Sequence, residues 1–172
     1  MRLHMLGLAH TRTEERFSHC AFTGKVLKFI PMMRAQGCEV IHYGVGPDNP
    51  GANEHVQVIT PEVQVALLAH DFSDHTKFVG DDANITHPVY RVFNRELRKL
   101  LKARVARGDF VCLPFGHGHQ EGASEHAGIN VETGIGYPVT YERFRIYESY
   151  CWMTWHQGRA DQGGNDYSWV IP

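Results

Sequence analysis

The densest run of chemistry-bearing residues is Gly116-His117-Gly118-His119-Gln120-Glu121, with Ser124, Glu125 and His126 behind it. A His-x-His pair sets two imidazoles close together, and flanking carboxylates can complete a metal site. The spacing matches no zinc-protease motif, because His-Glu-x-x-His is absent. The longer His-x-His-x-Asp-His run of metallo-hydrolases is absent too. A glycine-rich loop whose amides and imidazoles face a ligand explains the same residues without a metal, and is the preferred reading. A small metal-dependent hydrolase centred on His117, His119 and Glu121 stands as an alternative.

Other candidates are sparser. Glu132 sits near Tyr137 and can serve as a general base or orient a hydroxyl; pairing with Arg143 or Arg145 would explain it as well. Gly44-Val45-Gly46 and Gly134-Ile135-Gly136 each follow an apolar run, but neither completes Gly-x-Gly-x-x-Gly, so a nicotinamide dehydrogenase gains little support. Gly24-Lys25 is followed by Val26, which excludes a P-loop. No Gly-x-Ser-x-Gly occurs, and Cys20 beside His19 is a weak nucleophile signal. Arg91, Arg95, Arg98 and Lys102 share one helical face and read as a solvated surface opposite Val92, Leu97, Leu101 and Val105.

The elements that must position these residues alternate. Leu3–Ala9 reads as a buried strand, followed by a polar loop in which Ser18 or Thr23 would cap the next helix. Val26 to Met33 keep a helical spacing, with Pro31 as a kink and Gly37 as the stop. Cys38–Tyr43 and His55–Ile59 read as strands. Thr60 caps a helix running to about His70, with Pro61 at its first position. Residues 71–87 read as a polar loop. Pro88–Arg107 reads as a helix and Asp109–Leu113 as a strand. A helix over Glu121–Ala127, a strand over Ile129–Glu132, an aromatic-rich helix over Phe144–Trp155 with its Trp and Tyr mostly in the core, and a strand over Tyr167–Ile171 complete the pattern. Alternation of this kind predicts a single α/β domain: a Rossmann-like, doubly wound, mostly parallel sheet with helices on both faces. Ligands then bind beyond the carboxyl ends of the strands, near the switch in strand order.

Composition sets outer bounds. The chain has 172 residues, which suits one domain. Lys plus Arg is 17 against 19 Asp plus Glu, a net charge of −2, so no basic excess points to nucleic acid. Its four cysteines are widely spaced and read as reduced thiols in a cytoplasmic protein. The short apolar start, interrupted by His4, argues against a signal peptide. No apolar stretch is long enough to span a membrane. The twelve histidines are an unusually high count.

Three groups of segments, taken together, resemble a known family. The first is His4-Met5-Leu6-Gly7-Leu8-Ala9-His10-Thr11, Ser18-His19-Cys20-Ala21-Phe22-Thr23 and Gly37-Cys38-Glu39-Val40-Ile41-His42-Tyr43-Gly44. The second is Val131-Glu132-Thr133-Gly134-Ile135-Gly136-Tyr137 with Phe144-Arg145-Ile146-Tyr147-Glu148-Ser149-Tyr150. The third is the closing Val170-Ile171-Pro172. They resemble the N-terminal, acceptor-side half of GT-B glycosyltransferases of the group-1, family 4-like kind. The resemblance implies transfer of a sugar from a nucleotide-sugar donor to a hydroxyl acceptor, with no cofactor and no metal. It implies His10, His19 and Glu132 as catalytic residues. Thr11, Thr23, Gly116, His117, His119, Gly134, Gly136, Tyr137 and Arg143 would bind substrate. The C-terminal nucleotide-sugar domain of such enzymes has no counterpart within residues 1–172, so a homodimer or a separate partner chain is expected to complete the site. A non-catalytic nucleotide- or sugar-binding module is the other alternative.

Overall fold

Leu3–Leu6 and Val40–Val45 are buried on both faces, as central strands of a parallel sheet must be. In the computed structural model, which describes residues 1–73, 85–159 and 167–171, they form strands β1 (Arg2–Leu6) and β2 (Glu39–Val45). Five more strands follow: β3 (Glu54–Ile59), β4 (Phe110–Leu113), β5 (Ile129–Ile135), β6 (Phe144–Tyr147) and β7 (Ser168–Val170). All pair in parallel, in the order β3-β2-β1-β4-β5-β6-β7. That order is the dinucleotide-type Rossmann order with one strand added at the far edge. The direction of winding reverses between β1 and β4, so the crevice lies beyond their carboxyl ends.

Helix α1 (Ala21–Ala35) links β1 to β2, α2 (Pro61–Leu68) and α3 (Pro88–Arg104) link β3 to β4, and α4 (Tyr150–Arg159) links β6 to β7. Right-handed crossovers put α1 on one face of the sheet and α3 and α4 on the other. Thr60 caps α2 by accepting from the Val63 N–H, with Pro61 at the first position, as its sequence predicts. Helix α3 buries Val89, Phe93, Leu97 and Leu101 and turns its basic stripe to solvent, where Arg98 and Lys102 pair with Glu125. The core gathers these side chains with Leu3, Met5, Val26, Ile30, Val40 and Val111.

Several expectations need correction. Strand β1 ends at Leu6 rather than Ala9: the Gly7 N–H still donates to the Tyr43 carbonyl at 2.6 Å, but its own carbonyl turns to the His119 side chain instead of a neighbouring strand. Neither Ser18 nor Thr23 caps α1; its N-cap is Cys20, with no side-chain cap. Pro31 lies inside α1 without breaking it. Residues 121–127 form turns rather than a helix. Gly122 packs against Asn94 and Leu97 of α3, and the Asn130 side chain takes the Ala123 carbonyl. Strand β5 continues past Glu132 to Ile135, with an irregularity where Gly134 adopts φ +66°. Phe144–Tyr147 is a strand, because its alternation with Arg145 suits a sheet and it pairs on both sides. The helix starts only at Tyr150 and buries none of its residues fully; Tyr150 is 70% exposed. Within the loop expected over 71–87, residues 74–84 lie outside the described residues. Cys20, Cys38 and Cys112 are buried free thiols and Cys151 is an exposed one. Among the described residues no helix is long and apolar enough to cross a membrane.

Candidate functional site

The loop after β1 is unusual in being buried: Leu8, Ala9 and His10 are almost wholly enclosed. A buried loop needs partners for its backbone. The buried Gln64 of α2 supplies two, its amide donating to the carbonyls of Ala9 and Thr11. Thr11 and Thr23 bond through their hydroxyls at 2.6 Å, tying the loop to the first turn of α1.

His10 stands at the centre. Its Nδ1 lies 2.5 Å from the Tyr90 hydroxyl of α3, and its Nε2 lies 3.6 Å from the Cys20 sulfur. When the phenol donates to a bare Nδ1, the proton of the neutral ring sits on Nε2, beside the start of α1. Burial, reinforced by the nearby His119, lowers the His10 pKa to about 4, so the ring is neutral at pH 7.

The loop after β4 closes over this group. Residues Gly116–His119 form a 3-10 turn at the carboxyl end of β4. His119 is fully buried, and its Nε2 donates to the Gly7 carbonyl at 2.8 Å. Its Nδ1 is therefore a bare lone pair, buried and without a partner among the described residues. Burial lowers the His119 pKa to about 4 as well. His117 is half-buried, its Nδ1 likewise lacks a partner, and burial lowers its pKa. Phe115 lies against the rings of His10, Phe22, Tyr90, His117 and His119 and packs the crevice floor. Gly118 is required there, since a Cβ would overlap the Phe115 ring.

Glu132 meets Tyr137, as its sequence neighbourhood predicts, and two backbone donors besides. It is fully buried on β5; one oxygen accepts from the Tyr141 and Glu142 N–H groups at 2.6 and 2.7 Å, and the other accepts from the Tyr137 hydroxyl at 3.0 Å. Burial raises its pKa even against those three donors. With three donors already bound, this carboxylate braces the β5–β6 connection. Gly116 presses against it: a Cβ there would meet a Glu132 oxygen at 2.6 Å and the Tyr137 hydroxyl at 2.7 Å. Lys25 of α1 reaches across to the Gly134 carbonyl at 2.7 Å and to Glu148 at 2.8 Å. A Cβ at Gly136 would overlap the Glu148 carboxylate.

Contacts thus bring His10, Thr11, Thr23, Gly116, His117, His119, Glu132 and Tyr137 to one edge of the sheet, with Gly134 and Gly136 at its flank. No family model, curated protein or solved structure matches this chain. The site therefore stands on its own geometry. His19 is exposed at the start of α1 and does not join the buried group. Arg143 does not join it either: it lies at the amino end of β6, its guanidinium 4.2 Å from the centre of the Tyr167 ring. Among the described residues no three of His, Cys, Asp and Glu form a group that can hold a metal ion, and His119 has already given its Nε2 to Gly7.

Sequence reading missed Tyr90, Gln64 and His42. Tyr90 lies on the apolar face of α3 and reads as core. Gln64, a polar residue amid the apolar positions of a short helix, was a legible signal. His55 Nε2 donates to the Gly46 carbonyl, which leaves its Nδ1 to accept from His42 Nδ1 at 2.8 Å. Burial and the neighbouring His55 lower the His42 pKa to about 3.

Chemically, the edge offers neutral donors and acceptors rather than charge. The α1 N-terminus, with no side-chain cap, offers backbone N–H groups and the positive end of the helix dipole, which suit an anion. The bare imidazole nitrogens suit hydroxyl donors.

Proposed function

We propose that this domain is the acceptor-side half of a GT-B-type glycosyltransferase, moving a sugar from a nucleoside diphosphate to a hydroxyl acceptor. The observation that carries the reading is the meeting, at the β1/β4 switch point, of an α1 N-terminus without a side-chain cap and a set of neutral buried imidazoles. The fold is compatible with nucleotide or sugar binding, and the segment resemblance supplies the finer assignment.

In this reading the bond from the sugar's anomeric carbon to the diphosphate oxygen breaks, and a bond to the acceptor oxygen forms. The acceptor's proton leaves toward the departing diphosphate. The α1 N–H groups stabilise the negative charge that builds on that diphosphate. His10, carrying its proton on Nε2, donates to a phosphoryl or sugar oxygen. His117 and His119 accept from sugar hydroxyls, with Thr11 and Thr23 shaping the loop beside them. Glu132 positions Tyr137 and Gly116 and takes no proton. A second Rossmann-like domain closes the crevice and holds the nucleotide.

The test is nucleotide release from a panel of UDP-, GDP- and ADP-sugars, with and without simple acceptors, alongside direct binding of each donor. Release exceeding that of a folded His10→Gln variant supports the transfer reading. Binding that His10→Gln weakens, without release, favours a non-catalytic module. The carboxylate of Glu132, already bound by three donors, is the observation that favours that second reading. Neither binding nor release removes both.

A further inference from the structure

We propose that a cavity beside the crevice binds the alkyl chain of a single-chain anionic amphiphile, with Lys28 holding its head group. The cavity measures about 280 Å³ and lies between α1 and the β4–β6 half of the sheet. Its floor is apolar, built from Met5, Phe29, Met32, Pro114, Ile146 and Ile171. This site is separate from the transfer reading, and the two can fail independently.

Topology explains why the cavity is there. The right-handed crossovers place α1 on this face of the sheet and α3 and α4 on the other, so no later helix among the described residues covers the β4–β6 half here. Apolar side chains that a helix would cover in a fully wound sheet are left open. Met32 and Ile171, which line it, remain exposed, as does Trp169 of β7. Trp169 is in register with Ile146, so both point to this face.

Charge selects the occupant. Lys25 and Lys28 line the same side, on one face of α1. Lys25 is neutralised by Glu148 and held by the Gly134 carbonyl. Lys28 is exposed and makes no ion pair among the described residues, so the rim carries one excess positive charge over an apolar floor. That pattern matches an alkyl chain with an anionic head. A methylene fills roughly the ~30 Å³ that a water occupies in the liquid, so the cavity holds a chain of about ten carbons.

The experiment titrates the 172-residue chain with butyl, octyl and decyl phosphate below their aggregation concentrations, using calorimetry and tryptophan fluorescence. Octyl glucoside is the uncharged control. Each added methylene should tighten binding roughly two- to fourfold, so decyl phosphate, with six more methylenes, should bind at least about sixtyfold tighter than butyl phosphate. Octyl glucoside should bind about two- to fivefold more weakly than octyl phosphate, a difference set by the charge. Lys28→Glu and Met32→Asp change exposed side chains, so both variants should fold. Each should weaken decyl phosphate at least about fivefold, while Lys99→Glu on α3 should leave it unchanged. The proposal is overturned by equal affinity for butyl and decyl phosphate, by equal loss in Lys28→Glu and Lys99→Glu, or by decyl phosphate lowering the melting temperature as a detergent would.

Discussion

His10 Nδ1 and the Tyr90 hydroxyl meet at 2.5 Å across 80 residues of sequence, joining the β1 loop to α3 beneath the crevice. With the phenol donating, the proton of a ring that burial keeps neutral sits on Nε2. Tyr90→Phe removes the donor and leaves a buried nitrogen without a partner, at a cost of about 1–2 kcal/mol. Denaturant unfolding should show that loss. Long-range ¹⁵N correlation spectra should show the His10 proton redistributing between its two nitrogens. An unchanged tautomer in Tyr90→Phe would remove the positioning role.

Glu132 separates a brace from a base. Glutamine at 132 keeps an oxygen for the Tyr141 and Glu142 N–H groups and presents its amide to a phenol that can turn to accept. Glu132→Gln should therefore cost no more than about 1 kcal/mol. Glu132→Ala strands two backbone N–H groups and a buried phenol, and should cost about 3–5 kcal/mol, or roughly 6–20 °C in melting temperature for a chain of this size. If donor turnover is found, Glu132→Gln should keep it within about tenfold. A loss of 10²–10⁴ would instead identify a general base.

Acid should unfold this protein through its histidines. The pKa values of His10 and His119 fall to about 4 and that of His42 to about 3, all three because of burial, from an ordinary value near 6.5. The unfolded chain therefore binds more protons than the folded one between those limits. Stability is fully present above pH 6.5 and is lost as pH falls toward 4, with a slope of about 1.4 kcal/mol per pH unit per histidine. At pH 5.5, unfolding should take up about three protons, measurable from the pH dependence of urea unfolding. Uptake near zero would mean that these rings are already charged in the folded protein.

Much of the fold was legible because its central elements obey simple periods. Helix α3 shows an apolar stripe at helical spacing, and β1, β2 and β4 are short apolar runs between turn residues. Phe144–Tyr147 was misread because aromatic residues on either side of Glu148 suit a helix face as well as a strand. Only its pairing with β5 and β7 decides. In the site, His10, His117 and His119 were legible from their place after β1 and β4. Of the partners of Glu132, Tyr137 was legible, whereas the other two were not, because they are backbone N–H groups that carry no side-chain signature. Arg143 was drawn in by its nearness to Glu132 in sequence, whereas the strand direction carries it to the opposite end of β6.

Two glycines should respond with opposite sign. At Gly7 a Cβ would lie 2.9 Å from both His42 Nε2 and the Tyr43 carbonyl, and 3.1 Å from Thr13 Oγ1. The carbonyl belongs to β2 and cannot yield, so Gly7→Ala must push the β1 loop outward. It should cost about 2–4 kcal/mol and disturb the His119 bond to the Gly7 carbonyl. Gly158, in the last turn of α4, has no atom of the described residues within 4 Å of its ideal Cβ position. Gly158→Ala should stabilise the chain by about 0.5–1 kcal/mol, by limiting the unfolded chain and favouring the helix. Thermal unfolding of the two variants side by side checks both. A neutral Gly7→Ala would mean that the close packing of Gly7, His42 and His119 at the switch point is not what holds the crevice in shape.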